Sequence, residues 1–265
     1  MSLIFERAKE ITPYCDSIRY FSKDYFDRNK KALLNKGLPF IVTECFPQSN
    51  SVDIYKIIEE YFGDNLISVR SYSNTLEYAT NRYYEKINVH DYLASLNEYD
   101  NSVVPYAANN EIDTTLLNLL NIEIPIKQLQ NKFEKPKLWI GAKGNSTPLH
   151  RDSSDNFTYH LIGKKKWTLF SVKDEAYLYF EKNSYGIKAN ALSEFAVSEV
   201  DLDHIDLTRF PLFNKATKHE IIANEGEMLY LPYGWGHHVE NISSSVMINL
   251  WFKLENYTPL ILEGF

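Results

Sequence analysis

The stretch Gly144–Asn156, GNSTPLHRDSSDN, decides how this chain reads. It sets His150 and Asp152 two residues apart, with small and polar residues on both sides. In an extended segment, side chains at i and i+2 leave the same face. His150 and Asp152 can then grip one cation together while Arg151 turns away. One imidazole and one carboxylate leave a divalent ion short of ligands, so a third has to come from a distant strand. The best source is YLPYGWGHHVEN, residues 230–241, where His237 and His238 stand side by side. Two histidines and a carboxylate on one face of an ion leave three positions open, a set that suits non-haem Fe(II). A closed structural zinc site wants four ligands, often thiolates, and Cys15 and Cys45 lie far upstream. On spacing alone, either histidine is equally comfortable as a hydrogen-bonded core residue.

Working outward, the texture changes near Lys137. KLWIGAKGNSTPLH, NFTYHLIGKKKWTLF, EGEMLYLPYGWGHHVEN and SSVMINLWFKL are short β-branched and aromatic runs broken by Gly, Pro and Asn. They predict an antiparallel sheet folded over on itself, a sandwich or barrel. In EGEMLYLP, Gly226 reverses the chain, Leu229 and Leu231 face one side, Tyr230 faces the other, and Pro232 ends the strand. Upstream the pattern is mixed. Ser22 caps a helix that Gly37 stops, LPFIVTECF reads as a buried strand, and SVDIYKIIEEYFG as a helix ended by Gly63. NVHDYLASLNE predicts another helix, and TTLLNLLNIEIPI either a short helix or a capping segment. The expected organisation is a mixed N-terminal region over residues 1–130 leaning on a barrel over 131–265, the two forming one structural unit.

The chain of 265 residues is long enough for one large domain with a real core. Its formal charge of −7 gives no general attraction to phosphate backbones, which counts against RNA without excluding it. Two cysteines outside CxxC spacing make no disulfide framework, so a reduced cytoplasm is the expected setting. MSLIFERAKEITPYCDS lacks the charge and apolar pattern of a signal peptide, and no run of 18 apolar residues predicts a membrane span.

The segments WIGAKGNSTPLHRDSSDNF, LIGKKKWTLF, RFPLF, GEMLYLPYGWGHHVEN and MINLWF, in that order, resemble the JmjC and cupin-like 2-oxoglutarate oxygenases. The likeness is greatest to the small protein hydroxylases related to factor inhibiting HIF. It covers about residues 137–253 and fades upstream. It implies a mostly β fold, a double-stranded β-helix of the cupin or jelly-roll type with helices around it. It places the iron ligands on His150, Asp152 and His237, with His238 as an outward neighbour. It puts Lys165, ungapped from His150, on the far carboxylate of 2-oxoglutarate, with Thr147 as a hydroxyl donor and Asn156 and Asn249 lining the pocket. Tyr106 supplies a phenol there or is an ordinary core tyrosine, and His160 either faces the pocket or fills the core. Trp251 and Phe252 are expected to pack the barrel wall. Two positions depart from the family pattern, Arg151 where Tyr is frequent and Gly236 where Trp is more usual. The glycine is expected to leave space beside the iron or to let a partner approach.

The resemblance implies an enzyme, a dioxygenase using Fe(II), 2-oxoglutarate and O2. It hydroxylates a C–H of a protein or peptide side chain and releases succinate and CO2. Hydroxylation of a free amino acid or other small metabolite, of a tRNA base, or demethylation of N-methyl-lysine stay open, as does a non-enzymatic binding module on the same barrel. No membrane partner is expected, and the oligomeric state is not legible.

Overall fold

In the computed structural model, residues 8–46, 51–70, 84–96, 105–180 and 196–252 are described. The strands are β1 (Arg19–Ser22), β2 (Phe40–Thr43), β3 (Leu66–Arg70), β4 (Glu85–Asn88), β5 (Tyr106–Glu111), β6 (Lys137–Gly141), β7 (Ser146–Arg151), β8 (Asp155–Ile162), β9 (Lys165–Phe170), β10 (Ala196–Val197), β11 (Lys218–Ala223), β12 (Met228–Leu231), β13 (Gly236–Asn241) and β14 (Ser245–Phe252). They form a nine-stranded sheet, in the order β1-β2-β12-β8-β14-β6-β5-β3-β4, and a five-stranded sheet, in the order β10-β7-β13-β9-β11. Almost every pairing is antiparallel; β1 on β2 is parallel.

Strand alternation explains how the sheets bury themselves. In β12, Leu229 and Leu231 join a core shared with Trp167, Leu169 and Val239 of the smaller sheet, as expected. Met228 and Tyr230 point the other way, into the core that the helices cover. In β8, Phe157 and Tyr159 enter that helix-side core, which leaves Asn156, Thr158 and His160 on the face between the sheets. This two-sheet packing with outer helices is the expected cupin-type arrangement.

The helices sit where the sequence signals put them. α1 (Lys23–Leu34) is capped by the Ser22 hydroxyl, which accepts from the Tyr25 amide, and buries Phe26, Leu33 and Leu34. α2 (Ser51–Phe62) stops at Gly63 and buries Ile54 and Ile58. α3 (Val89–Ser95) starts from an Asn88 cap, and its Tyr92 hydroxyl donates to the Ile140 carbonyl of β6. TTLLNLLNIEIPI forms a true short helix, α4 (Thr114–Leu119), capped by Asp113. Each fully buried Phe, Leu or Ile contributes about 1.5–3 kcal/mol of transfer free energy. No helix among the described residues is long and apolar enough to cross a membrane.

The N-terminal strands are part of the larger sheet. β2 pairs with β12, Phe40 opposite Tyr230, and β5 pairs with β6, Ala107 opposite Ile140. β3 pairs with β5, which sets Arg70 opposite Tyr106. That register carries two upstream side chains to the space between the sheets.

Candidate metal centre

β7 and β13 are neighbours in the smaller sheet, with His150 directly opposite His237. Their ring centroids lie 4.0 Å apart. Asp152 follows the end of β7, and its Oδ1 is 3.9 Å from His150 Nε2 while Oδ2 is 3.8 Å from His237 Nε2. All three ligand atoms lie within 4.8 Å of one another, close enough for one ion to touch each. Both ring tautomers suit that task. His150 Nδ1–H donates to the Pro148 carbonyl at 2.8 Å, and His237 Nδ1–H donates to the Trp235 carbonyl at 3.0 Å. Each Nε2 therefore keeps its lone pair and points it at the common centre. Burial holds both imidazoles below the ordinary histidine range, and for His150 the nearby His237 adds to it. Neutral rings are the ligand form. Together the three side chains make a facial triad of two histidines and one carboxylate.

The supporting contacts come from aromatic residues. The Trp251 indole Nε1–H donates to Asp152 Oδ2 at 2.9 Å. Trp167 stacks on the His237 ring, centroids 5.9 Å apart, and its Nε1–H donates to His160 Nε2 at 3.1 Å. Phe252 packs in the helix-side core as expected, but Trp251 does more than fill the wall, because its indole orients a ligand.

His238 lies on the opposite face of β13 from His237 and is not among the triad. Arg151 also points away from the centre. Its Nη1 donates to Glu175 Oε1 at 2.8 Å, and its guanidinium lies over the Phe180 ring. Lys9 reaches the same carboxylate. Gly236 does not open space beside the metal, contrary to expectation. A Cβ there would meet Leu178 Cδ1 at 3.0 Å, Phe180 Cζ at 3.4 Å and Phe170 Cβ at 3.5 Å. The glycine faces an outer apolar cluster that takes the room a tryptophan would need.

Buried polar side chains of both sheets face one another, Lys165, Asn241 and Thr147 from the smaller sheet and Tyr106, Asn156, Thr158, His160 and Asn249 from the larger. Lys165 is fully buried, and its ammonium donates to the Tyr106 hydroxyl at 3.0 Å and to Asn241 Oδ1. Its neighbours Lys164 and Lys166 lie outside, Lys166 paired with Glu220. Burial, reinforced by the Arg70 charge, pushes the Lys165 ammonium down to about 7. Tyr106, open to two readings from sequence, thus belongs to the pocket. Thr147 is buried and accepts from Arg70 Nη2 at 3.0 Å. Asn156 Oδ1, Thr158 Oγ1, His160 Nδ1, Asn249 Oδ1 and Trp139 Nε1 are buried without hydrogen-bond partners. Native interiors rarely leave such atoms unpaired without reason, and here they all sit on inward-facing strand positions.

With the geometry in view, comparison with known proteins decides the family. A model described as "Cupin-like domain" matches residues 28–257. The chain belongs to the JmjC/cupin-like family. Among curated relatives, this cupin-like chain is 30% identical over 242 residues to JmjC domain-containing protein D of Dictyostelium discoideum, covering 83% of this chain and 52% of that one. It is 37% identical over 125 residues to human HSPB1-associated protein 1, covering 46% and 24%. It is 36% identical over 119 residues to lysine-specific demethylase JMJ30 of Arabidopsis thaliana, covering 44% and 25%. The chain spans about half of the first of these relatives and about a quarter of the other two.

Sequence reasoning passed over Arg70 and Trp167 and gave Trp251 a packing role alone. Arg70 lies upstream of the recognisable segments, and its place follows from the β3–β5 register alone. Trp251 carried a usable signal, since it alternates with Leu250 and Phe252 and shares the inward face with Asn249.

Proposed function

We propose that this chain is an Fe(II)- and 2-oxoglutarate-dependent oxygenase that hydroxylates a C–H of a protein or peptide side chain. One observation carries the reading. The triad of His150, Asp152 and His237 accompanies a buried lysine, Lys165, whose ammonium is held by Tyr106 and Asn241 on the neighbouring strands. A dicarboxylate with a keto acid at one end would suit both groups, the keto acid on the metal and the far carboxylate on the ammonium. The donor set fits iron, because two neutral imidazoles and one carboxylate suit Fe(II) and leave coordination sites free. The partnerless Asn156, Thr158, His160, Asn249 and Trp139 atoms fit a polar occupant and would be costly around an empty apolar one.

When bound, the iron and cosubstrate supply the oxidation, in which O2 is consumed, 2-oxoglutarate becomes succinate and CO2, and one oxygen atom enters the substrate. The chain's own residues position the reactants. Lys165, with Tyr106 and Thr147, holds the distal carboxylate and so fixes how far the keto acid reaches toward the triad. Asn156 and Asn249 line its length. Trp251 and the backbone carbonyls of Pro148 and Trp235 hold the ligand atoms in register. Burial of the triad excludes bulk water from the reacting centre. The relatives named for JmjC domains, and one named as a lysine-specific demethylase, support a protein or peptide as the substrate class.

The test is succinate release by the Fe(II)-loaded protein against a peptide library, with mass spectrometry for the gain of one oxygen atom. Turnover that depends on both 2-oxoglutarate and peptide is expected, and His150→Ala should abolish it together with iron binding. Succinate formation that survives in His150→Ala would show that the triad is not the reacting centre. Stimulation by free amino acids or tRNA, and not by peptides, would overturn the substrate class.

A further inference from the structure

Arg70, like Tyr106, comes from upstream of the recognisable part of the barrel. It is the last residue of β3, opposite Tyr106 across the β3–β5 ladder. Its side chain is buried. The guanidinium carbon lies 5.3 Å from the ring centroids of both Tyr106 and Trp139, which are themselves 5.7 Å apart, so the group packs against both rings of an aromatic pair. From there Nη2 donates to Thr147 Oγ1 at 3.0 Å.

A threonine hydroxyl has one proton and two lone pairs. Arginine has only donors and is charged at every working pH. Thr147 must therefore accept from Arg70 and cannot donate to it, so its single proton is turned toward something else. We propose that Arg70 is a positioning residue for the cosubstrate: by occupying a lone pair of Thr147 it aims the threonine proton at the distal carboxylate, and it adds a second fixed positive charge beside Lys165. This rests on the cosubstrate reading above. It makes the pocket selective for a dicarboxylic keto acid over a monocarboxylic one of the same length.

The experiment measures binding to the Mn(II)-loaded 265-residue chain by calorimetry, without turnover. The two probes are 2-oxoglutarate and 2-oxopentanoate, which lacks the distal carboxylate. Wild-type protein is expected to favour 2-oxoglutarate by at least tenfold. Arg70→Met keeps the aliphatic stem and should weaken 2-oxoglutarate at least tenfold while leaving Mn(II) and 2-oxopentanoate within about twofold. Arg70→Lys should restore part of the loss, because charge returns without the fork. Thr147→Val and Arg70→Met should be less than additive in the double variant, since one acts through the other. Unchanged 2-oxoglutarate affinity in Arg70→Met overturns the role, and so does an equal loss of both probes with loss of Mn(II), which marks a purely structural residue. If wild-type protein binds Mn(II) but does not distinguish the two probes, the cosubstrate reading itself fails, and Arg70's role with it. Should Arg70→Met not fold, Thr147→Val tests the aimed proton, and intact selectivity in that variant overturns it.

Discussion

At Lys165 a cation is kept out of water with only a phenol and an amide oxygen for company. Its ammonium is pushed down to about 7, so the charged fraction falls as pH rises through that value. A carboxylate needs the charged form. The dissociation constant for 2-oxoglutarate is therefore expected to rise above about pH 7, and Lys165→Met should flatten that dependence and weaken binding roughly 10–100-fold, the worth of a hydrogen bond to a charged group. A titration repeated at pH 6, 7 and 8 checks both statements. Trp251 makes a second residue-scale case. Trp251→Phe removes the donor to Asp152 Oδ2 while keeping most of the packing. Metal affinity is expected to fall about 10–100-fold, as for other ligand-orienting partners, with little change in melting temperature. Competition with a chelator of known affinity measures it. The triad was legible in the sequence because two of its members are close in the chain and strand alternation puts them on one face. The Arg70–Thr147 and Trp251–Asp152 contacts were not, because each depends on which strand lies opposite.

At the scale of elements, the turn between β8 and β9 locks against the turn between β13 and β14. Lys164 N donates to Ser243 Oγ, and Ile242 N donates to the Lys164 carbonyl. Gly163 sits in that contact with φ +73°, and a Cβ would fall 2.0 Å from the Ser244 carbonyl oxygen. Gly163→Ala combines an unfavourable backbone with a backbone clash. A loss of about 3 kcal/mol or more is expected, read as a fall of roughly 6–12 °C in melting temperature. Because Lys165 follows two residues later, the same variant should also weaken cosubstrate binding. Helix ends were readable here from Ser22 and Gly63, since capping is local chemistry. The partnership of β2 with β12 was not, because nearly the whole barrel sequence separates them and only tertiary packing brings them together.

For the whole molecule, the division into an N-terminal region and a barrel looks different once the sheets are drawn. β2, β3, β4 and β5 lengthen the larger sheet, and Arg70 and Tyr106 complete the pocket from it. A fragment of residues 131–265 would expose the edge of β6 and the helix-side faces of Phe157, Tyr159 and Tyr230. It is expected to aggregate or remain without fixed tertiary structure, whereas the full chain unfolds in one cooperative transition; near-ultraviolet dichroism and calorimetry distinguish the two. No boundary marks the sequence between the two regions, and the sharing of a single sheet has no local signature. The placement of the indoles has a practical side. All four tryptophans lie in the barrel, with Trp167 stacked on one ligand and Trp251 bonded to another. Intrinsic fluorescence should therefore dim when a paramagnetic ion such as Mn(II) loads, giving a label-free optical gauge of occupancy.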